Sequence, residues 1–254
     1  MKNNVLNEIV KKGYAVAEDG RRVVIAPESI SEKEGLYIQN IISELNPTVT
    51  LEIGMAYGVS SLYICDSLKR KSNTKHIIID PQSSKMPWFG IGIHNLHKAG
   101  YGEIIEHHDM KSYEALPQLL SRGQKIDFAL IDGWHTFDYA LVDFFYIDKM
   151  LSVGGVVVFD DADWKSIRKL CRYVTKNNSY SIVPSMTGFT SEKSSIKRKL
   201  INQLLKSSKF SKKMRHYFSP EALETDINLG LDGSCIAFKK ISEDTRNWDF
   251  HESF

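Results

Sequence analysis

The chain has 254 residues, 42% of them hydrophobic, enough to bury one large α/β core. Its formal net charge of +2 singles out no class of partner, and its three cysteines, Cys65, Cys171 and Cys235, form no CxxC pair and exclude a disulfide framework. The opening residues lack the apolar core of a secretory leader and no later run reaches membrane-spanning length, so a soluble cytoplasmic protein is expected.

After a short polar helix, the run from Tyr14 to Ala26 reads as two alternating strands joined at Asp19-Gly20, a hairpin signal. Ser31 and Glu34 then stand at capping-box spacing, and Leu36, Ile38, Ile41, Ile42 and Leu45 give a helix a broad apolar stripe that Pro47 closes. From Val49 the pattern becomes strand, turn, helix, repeated. The strands are TVTLEI, KHIIID, EIIEH, DFALID and GVVVFD, and the helices SSLYICDSLKR, SYEALPQLLS, FDYALVDFFYIDKML and WKSIRKLCRYVTK. Such alternation predicts a parallel sheet covered on both faces. YSIVP and SCIAFKK supply two more strands, separated by a long polar insertion.

Two places on this frame carry chemistry. Gly54 and Gly58, in EIGMAYGVS, let the backbone turn tightly between the first core strand and its helix, whose amino terminus offers free N–H groups to a ligand. Asp80 ends the next strand, where a carboxylate reaches the ribose hydroxyls of a bound nucleoside. Asp132 ends a later apolar run, and Asp160 and Asp161 end another. Open α/β sheets bind ligands at the carboxyl ends of their strands, so these three acids converge on one rim, with His135 just beyond the first. A plainer role for Asp161, or for Asp163, is to cap the helix beginning near Trp164. His107 and His108 read as strand-end residues.

LEIGMAYGVSS, the acidic end of IIID, the IDGWH segment and GGVVVFDD together resemble the class I S-adenosylmethionine-dependent methyltransferases, most closely the type 24, catechol O-methyltransferase-like group. The resemblance implies a Rossmann-like fold with a mostly parallel seven-strand sheet, the last strands antiparallel at one edge. It implies one domain over 1–254: an N-terminal hairpin and helix (1–47), a cofactor-binding core (48–183), a basic lid-like insertion (184–234), then the last strand and tail (235–254). Carried over by position, it puts Gly54, Met55, Gly58 and Ser60 along the methionine part of S-adenosyl-L-methionine, with Glu52 on its amino group. Asp80 falls on the ribose, and Asp109 and Trp134 near the adenine. Asp132, Asp160 and Asp161 fall on the ligands of a divalent metal, Mg²⁺ being expected, although the family commonly has Asp-Asn where this chain has Asp160-Asp161. His135 occupies the place of a basic residue beside the acceptor hydroxyl. The implied reaction is O-methylation of a small hydroxylated molecule, such as a sugar or specialised metabolite.

The rival readings are a metal-independent enzyme with His135 as sole base, a nicotinamide-dependent dehydrogenase, against which the glycine pattern argues, and a non-catalytic binder of the cofactor. Trp88, Phe89, His94 and Asn95, in a long connection after Asp80, are candidates to reach over the acceptor pocket, with half of them packing the loop instead. Between Ser191 and Phe218 nine Lys or Arg stand against one acidic residue, on an amphipathic helical pattern. That segment reads as a solvated lid, with contact to an acidic acceptor or an anionic membrane surface as alternatives; no nucleic-acid motif is present. The aromatic tail, RNWDFHESF, docks on its own domain or on a second subunit in a homo-oligomer.

Overall fold

A computed structural model describes residues 3–69, 71–82, 88–184, 226 and 229–252; the basic segment 191–218 lies outside them. The chain begins with α1 (Asn4–Lys12) and the hairpin β1 (Tyr14–Val16) and β2 (Arg22–Val24), paired antiparallel around the predicted Asp19-Gly20 turn. α2 (Glu32–Leu45) starts at the expected capping box. The Ser31 side chain accepts the Glu34 N–H, and the Glu34 carboxylate accepts the Ser31 N–H in return.

The core elements follow in the predicted alternation: β3 (Val49–Ile53), α3 (Val59–Leu68), β4 (Lys75–Ile79), α4 (Ile91–Lys98), β5 (Ile105–His108), α5 (Ser112–Ser121), β6 (Ile126–Ile131), α6 (Phe137–Met150), β7 (Leu151–Phe159), α7 (Lys165–Thr175), β8 (Tyr180–Ile182) and β9 (Ile236–Lys240). They build a seven-stranded sheet in the order β5-β4-β3-β6-β7-β9-β8. The first five strands in that order are parallel, and β9 pairs antiparallel with both β7 and β8. The edge is thus reversed at β9 alone, since β8 runs in the same direction as the five parallel strands.

Strand alternation sorts the core onto two faces. Leu51, Ile53, Ala129, Ile131, Val157 and Phe159 pack with residues of α5, α6 and α7, whereas Phe128, Leu130, Val156 and Val158 pack with residues of α1, α2 and α3. Among the described residues no helix is long and apolar enough to cross a membrane.

One stretch departs from expectation. The connection after Asp80 contains α4, which buries Ile91, Asn95 and Leu96. Asn95 donates through Nδ2 to the Tyr57 carbonyl at 3.0 Å, and the Trp88 ring meets Tyr57 edge-on at 5.3 Å. These residues therefore brace the loop after β3. The helix is short and opens at Gly90 in a left-handed conformation. Its glycines look like loop punctuation in the sequence, but Gly92 is there for close approach: a Cβ would lie 2.6 Å from the Ala56 carbonyl oxygen and 2.8 Å from Met55 Cε.

Candidate functional site

The carboxyl ends of β3, β4, β6 and β7 form a rim on which the predicted residues meet. Order reverses here, β3 continuing to β4 on one side and to β6 on the other. At its centre Gly54 has φ +83, and a Cβ there would lie 2.0 Å from the Asp132 carbonyl oxygen. Only glycine lets the β3 turn and the β6 end come this close. Gly58 caps the amino terminus of α3 in a left-handed conformation with no side-chain cap, so that end keeps its N–H groups for another acceptor. Met55 and Ser60 are buried behind this turn.

Asp80 is buried, and its Oδ2 accepts the Met55 N–H at 2.6 Å and the Ala56 N–H at 3.0 Å. Burial raises its pKa, against the pull of those two amides. The carboxylate expected on a ribose thus also holds the glycine turn in shape, and it steadies Ala56, which sits at φ 47 where the dinucleotide fingerprint has glycine. Gln82, which sequence reasoning missed, ties the pieces together. Its Nε2 donates to Asp80 Oδ1 at 2.9 Å and to the Ala56 carbonyl at 3.0 Å, while its backbone N–H donates to Asp109 Oδ1 at 2.8 Å. Its only sequence signal is its place just past a strand end. His107 Nε2 lies 2.8 Å from the Asp80 carbonyl oxygen, within β5 as its strand-end reading implied.

Glu52 is fully buried. Its Oε2 accepts the Ser61 hydroxyl and lies 3.2 Å from His76 Nε2, while His76 Nδ1 lies 2.9 Å from the Thr50 hydroxyl. Oε1 has no partner. His76 and Ser61 went unnoticed in the sequence because nothing local joins them to Glu52.

The acidic cluster faces this turn. His135 Nε2 lies 3.4 Å from Asp132 Oδ1 and 3.2 Å from Asp161 Oδ2, and one ligand atom from each residue falls within 4.8 Å of the others. Asp160 is 6% exposed and its Oδ1 has no partner. Burial lifts the carboxyls of Asp132 and Asp160 well above their ordinary range. The charge of Asp161 adds to the effect on Asp132, and that of Asp132 to the effect on Asp160. Asp161 is raised less, because His135 opposes its burial.

Glu34 adds a further negative charge felt by all three aspartates; its Oε1 accepts the Ser234 hydroxyl. In the sequence it is visible only as a capping residue. Helix capping does not account for the cluster: α7 begins at Trp164 with no side-chain cap, and Asp161 contributes only its carbonyl, to the Trp164 N–H at 2.9 Å. Asp132, His135 and Asp161, all partly buried, could hold a divalent cation, whereas Asp160, expected among the ligands, does not fall in that group of ligand atoms.

His135 is fixed from outside the cluster. Its carbonyl accepts the Ser166 hydroxyl at 2.5 Å, and its ring lies 5.3 Å from that of Trp164. Trp134 is 68% exposed, its ring 6.3 Å from Tyr139. It stands outside the core, at the surface where the implied adenine contact would have to form.

The profile of a family described as a methyltransferase domain matches residues 51–162, which run from the first core strand through the acidic cluster. Two relatives are a tapetum-specific methyltransferase 1 of Arabidopsis thaliana, 27% identical over 135 residues (52% of this chain, 54% of that protein), and a flavonoid 3',5'-methyltransferase of Vitis vinifera, 26% identical over 138 residues (52% and 54%). The chain spans about half the length of the curated relatives it matches.

Among solved structures, an O-methyltransferase from Bacillus cereus in complex with SAH superposes with a TM-score of 0.59 at 18% identity, covering 72% of this chain and 84% of that one. The O-methyltransferase TomG from Streptomyces achromogenes, involved in tomaymycin synthesis and solved with SAM, superposes at 0.57 and 18%, covering 72% and 82%. The fold is therefore the Rossmann-like one of the class I methyltransferases.

Proposed function

We propose that this chain, whose residues 51–162 match a methyltransferase domain, transfers a methyl group from S-adenosylmethionine to a hydroxyl of a small molecule, assisted by a divalent cation. The observation that carries the reading is the contact between its two halves: the Gly54 turn rests directly on the Asp132 carbonyl, so a ligand cradled by the turn abuts the acidic cluster. Relatives named as methyltransferases, and solved structures of like fold that hold SAM or SAH, support it.

On this reading the chain's main task is alignment. The turn from Gly54 to Gly58 and the open amino terminus of α3 bind the amino-acid part of the cofactor, with the remaining oxygen of Glu52 available to its ammonium. Asp80, Gln82 and Asp109 keep the turn and the strand ends fixed while the nucleoside binds. Asp132, Asp160 and Asp161 hold the cation, Trp134 lies along the adenine, and the exposed face of Trp164 borders the acceptor. A bound divalent cation supplies Lewis acidity that lowers the pKa of an acceptor hydroxyl. His135, at the rim, is placed to take the released proton. A cytoplasmic setting fits the three buried free thiols.

A second reading, without metal and with His135 as sole base, is favoured by the approach of Asp161 Oδ2 to His135 Nε2 at 3.2 Å, which places the imidazole at the rim beside a carboxylate. One experiment separates the two. The full chain is incubated with methyl-labelled S-adenosylmethionine and a panel of hydroxylated acceptors, before and after chelation. Label transfer that is lost on chelation and restored by added metal supports the first reading. Full transfer after chelation favours the second, and failure to bind S-adenosylhomocysteine or to transfer label removes both.

A further inference from the structure

We infer that His135 is itself a ligand of the cation site, and that its nitrogen tunes the site toward borderline first-row ions such as Co²⁺ and Zn²⁺ and away from Mg²⁺. The inference deepens the metal-assisted reading by moving His135 from the role of base to that of ligand.

Three observations carry it. First, Nε2 approaches Asp132 Oδ1 at 3.4 Å and Asp161 Oδ2 at 3.2 Å without forming a hydrogen bond to either. An imidazolium that merely paired with these carboxylates would point its N–H at one of them. Ligands about 2.1 Å from a shared ion lie roughly 3.0 Å apart at octahedral angles and roughly 3.4 Å apart at tetrahedral ones. The two observed separations have the length of the edges of such a polyhedron.

Second, the neighbouring Asp160, 6% exposed, leaves Oδ1 without a partner beside the same group. A buried carboxylate oxygen left open next to other carboxylates is stable only when a cation or a proton meets it. Third, the His135 segment is held by contacts outside the cluster, the Ser166 hydroxyl on its carbonyl and the Trp164 ring against its own. Anchoring of this kind orients an imidazole before the ion arrives.

The ligand set is then mixed. Carboxylates alone suit Mg²⁺, a hard ion that takes oxygen, whereas imidazole suits Zn²⁺ and its first-row neighbours. Co²⁺ binds most sites more tightly than Mg²⁺, so the discriminating quantity is how much of each ion's affinity depends on His135.

The test uses the chelator-stripped full chain and the metals alone, Co²⁺ followed by its visible spectrum and Mg²⁺ by calorimetry, in the wild type and in His135→Gln. The expected result is a loss of about tenfold or more in Co²⁺ affinity with a changed Co²⁺ spectrum, while Mg²⁺ affinity moves by less than about twofold. Equal Co²⁺ affinity in both proteins, or equal losses for both ions, overturns the inference. Should the variant fail to fold, the wild-type protein loaded with Cu²⁺ is read by pulsed electron paramagnetic resonance. An imidazole ¹⁴N coupling supports the inference, and its absence overturns it. S-adenosylhomocysteine binding, measured on the same samples, reports separately on the methyltransferase reading.

Discussion

Carboxylates in this chain meet burial in different ways, and Asp143 shows a poorly compensated case away from the acidic cluster. It lies on α6, 1% exposed, and Oδ1 has no partner. Burial pushes its carboxyl up to about 6, against a weaker opposing hydrogen bond from Ser112. A carboxyl whose pKa is raised by folding keeps its proton more readily in the native state, so its ionisation costs stability as pH climbs from about 4 to about 6, and the cost is complete above that. A rise of about two pH units corresponds to roughly 3 kcal/mol. Asp143→Asn removes the ionisation. Relative to wild type, the variant should gain about 2 kcal/mol between pH 4.5 and pH 8 in urea unfolding. A difference that does not change over that range would show that folding leaves the pKa of Asp143 unchanged. Asp80 is the contrasting case, since two backbone amides and Gln82 satisfy its oxygens and offset much of its burial.

At the scale of elements, the reversed strand β9 is tied in by a buried lysine. Lys240 is 2% exposed, and its Nζ donates to the Asp148 carbonyl at 2.8 Å and the Leu151 carbonyl at 3.1 Å, with Glu243 at 3.0 Å. The Tyr180 hydroxyl donates to Asp148 Oδ1 at 2.8 Å, so β8 joins the same clamp. The junction of α6 and β7 is thus bound to both strands that finish the sheet. Lys240→Met keeps the aliphatic stem but leaves the buried Asp148 and Leu151 carbonyls without their donor, Lys149 remaining as the cation on the Asp148 carboxylate, a loss of about 3 kcal/mol. Urea unfolding should show that loss; a change below about 0.5 kcal/mol would mean apolar packing alone holds the edge. Elsewhere α4 and the turn after β3 act as one unit, because Gly92 and the Tyr57 contacts leave no room between them.

Over the whole molecule, negative charge gathers at the carboxyl ends of the parallel strands. Asp132, Asp160 and Asp161 feel one another and Glu34, and Asp132 also feels Glu52 and Asp80. Like charges brought together by folding oppose it, so a cation or a cationic ligand that binds only the native state should stabilise the protein. A ligand present at about one hundred times its dissociation constant adds about 2.7 kcal/mol. On the proposed function, S-adenosylmethionine should raise the unfolding temperature accordingly and NAD should not. A shift with NAD in place of S-adenosylmethionine would return the chain to the dehydrogenase reading.

The sequence alone determined what depends on neighbours along the chain. Short apolar runs rich in Val and Ile marked the core strands, and Ser31 with Glu34 marked the start of α2. The order of motifs from Glu52 to Asp161 led to the Rossmann-like sheet, because side-chain alternation and capping are local physics. Tertiary structure decided what depends on approach through space. It brought Glu34 and Ser234 to the acidic cluster, set His76 against Glu52, and made Gln82 the link between Asp80 and Asp109. It also seated His135 between Asp132 and Asp161, while Asp160 kept an open oxygen beside them. Such contacts join residues far apart in the chain, and no spacing or periodicity records them; only the packed sheet brings those atoms to one rim.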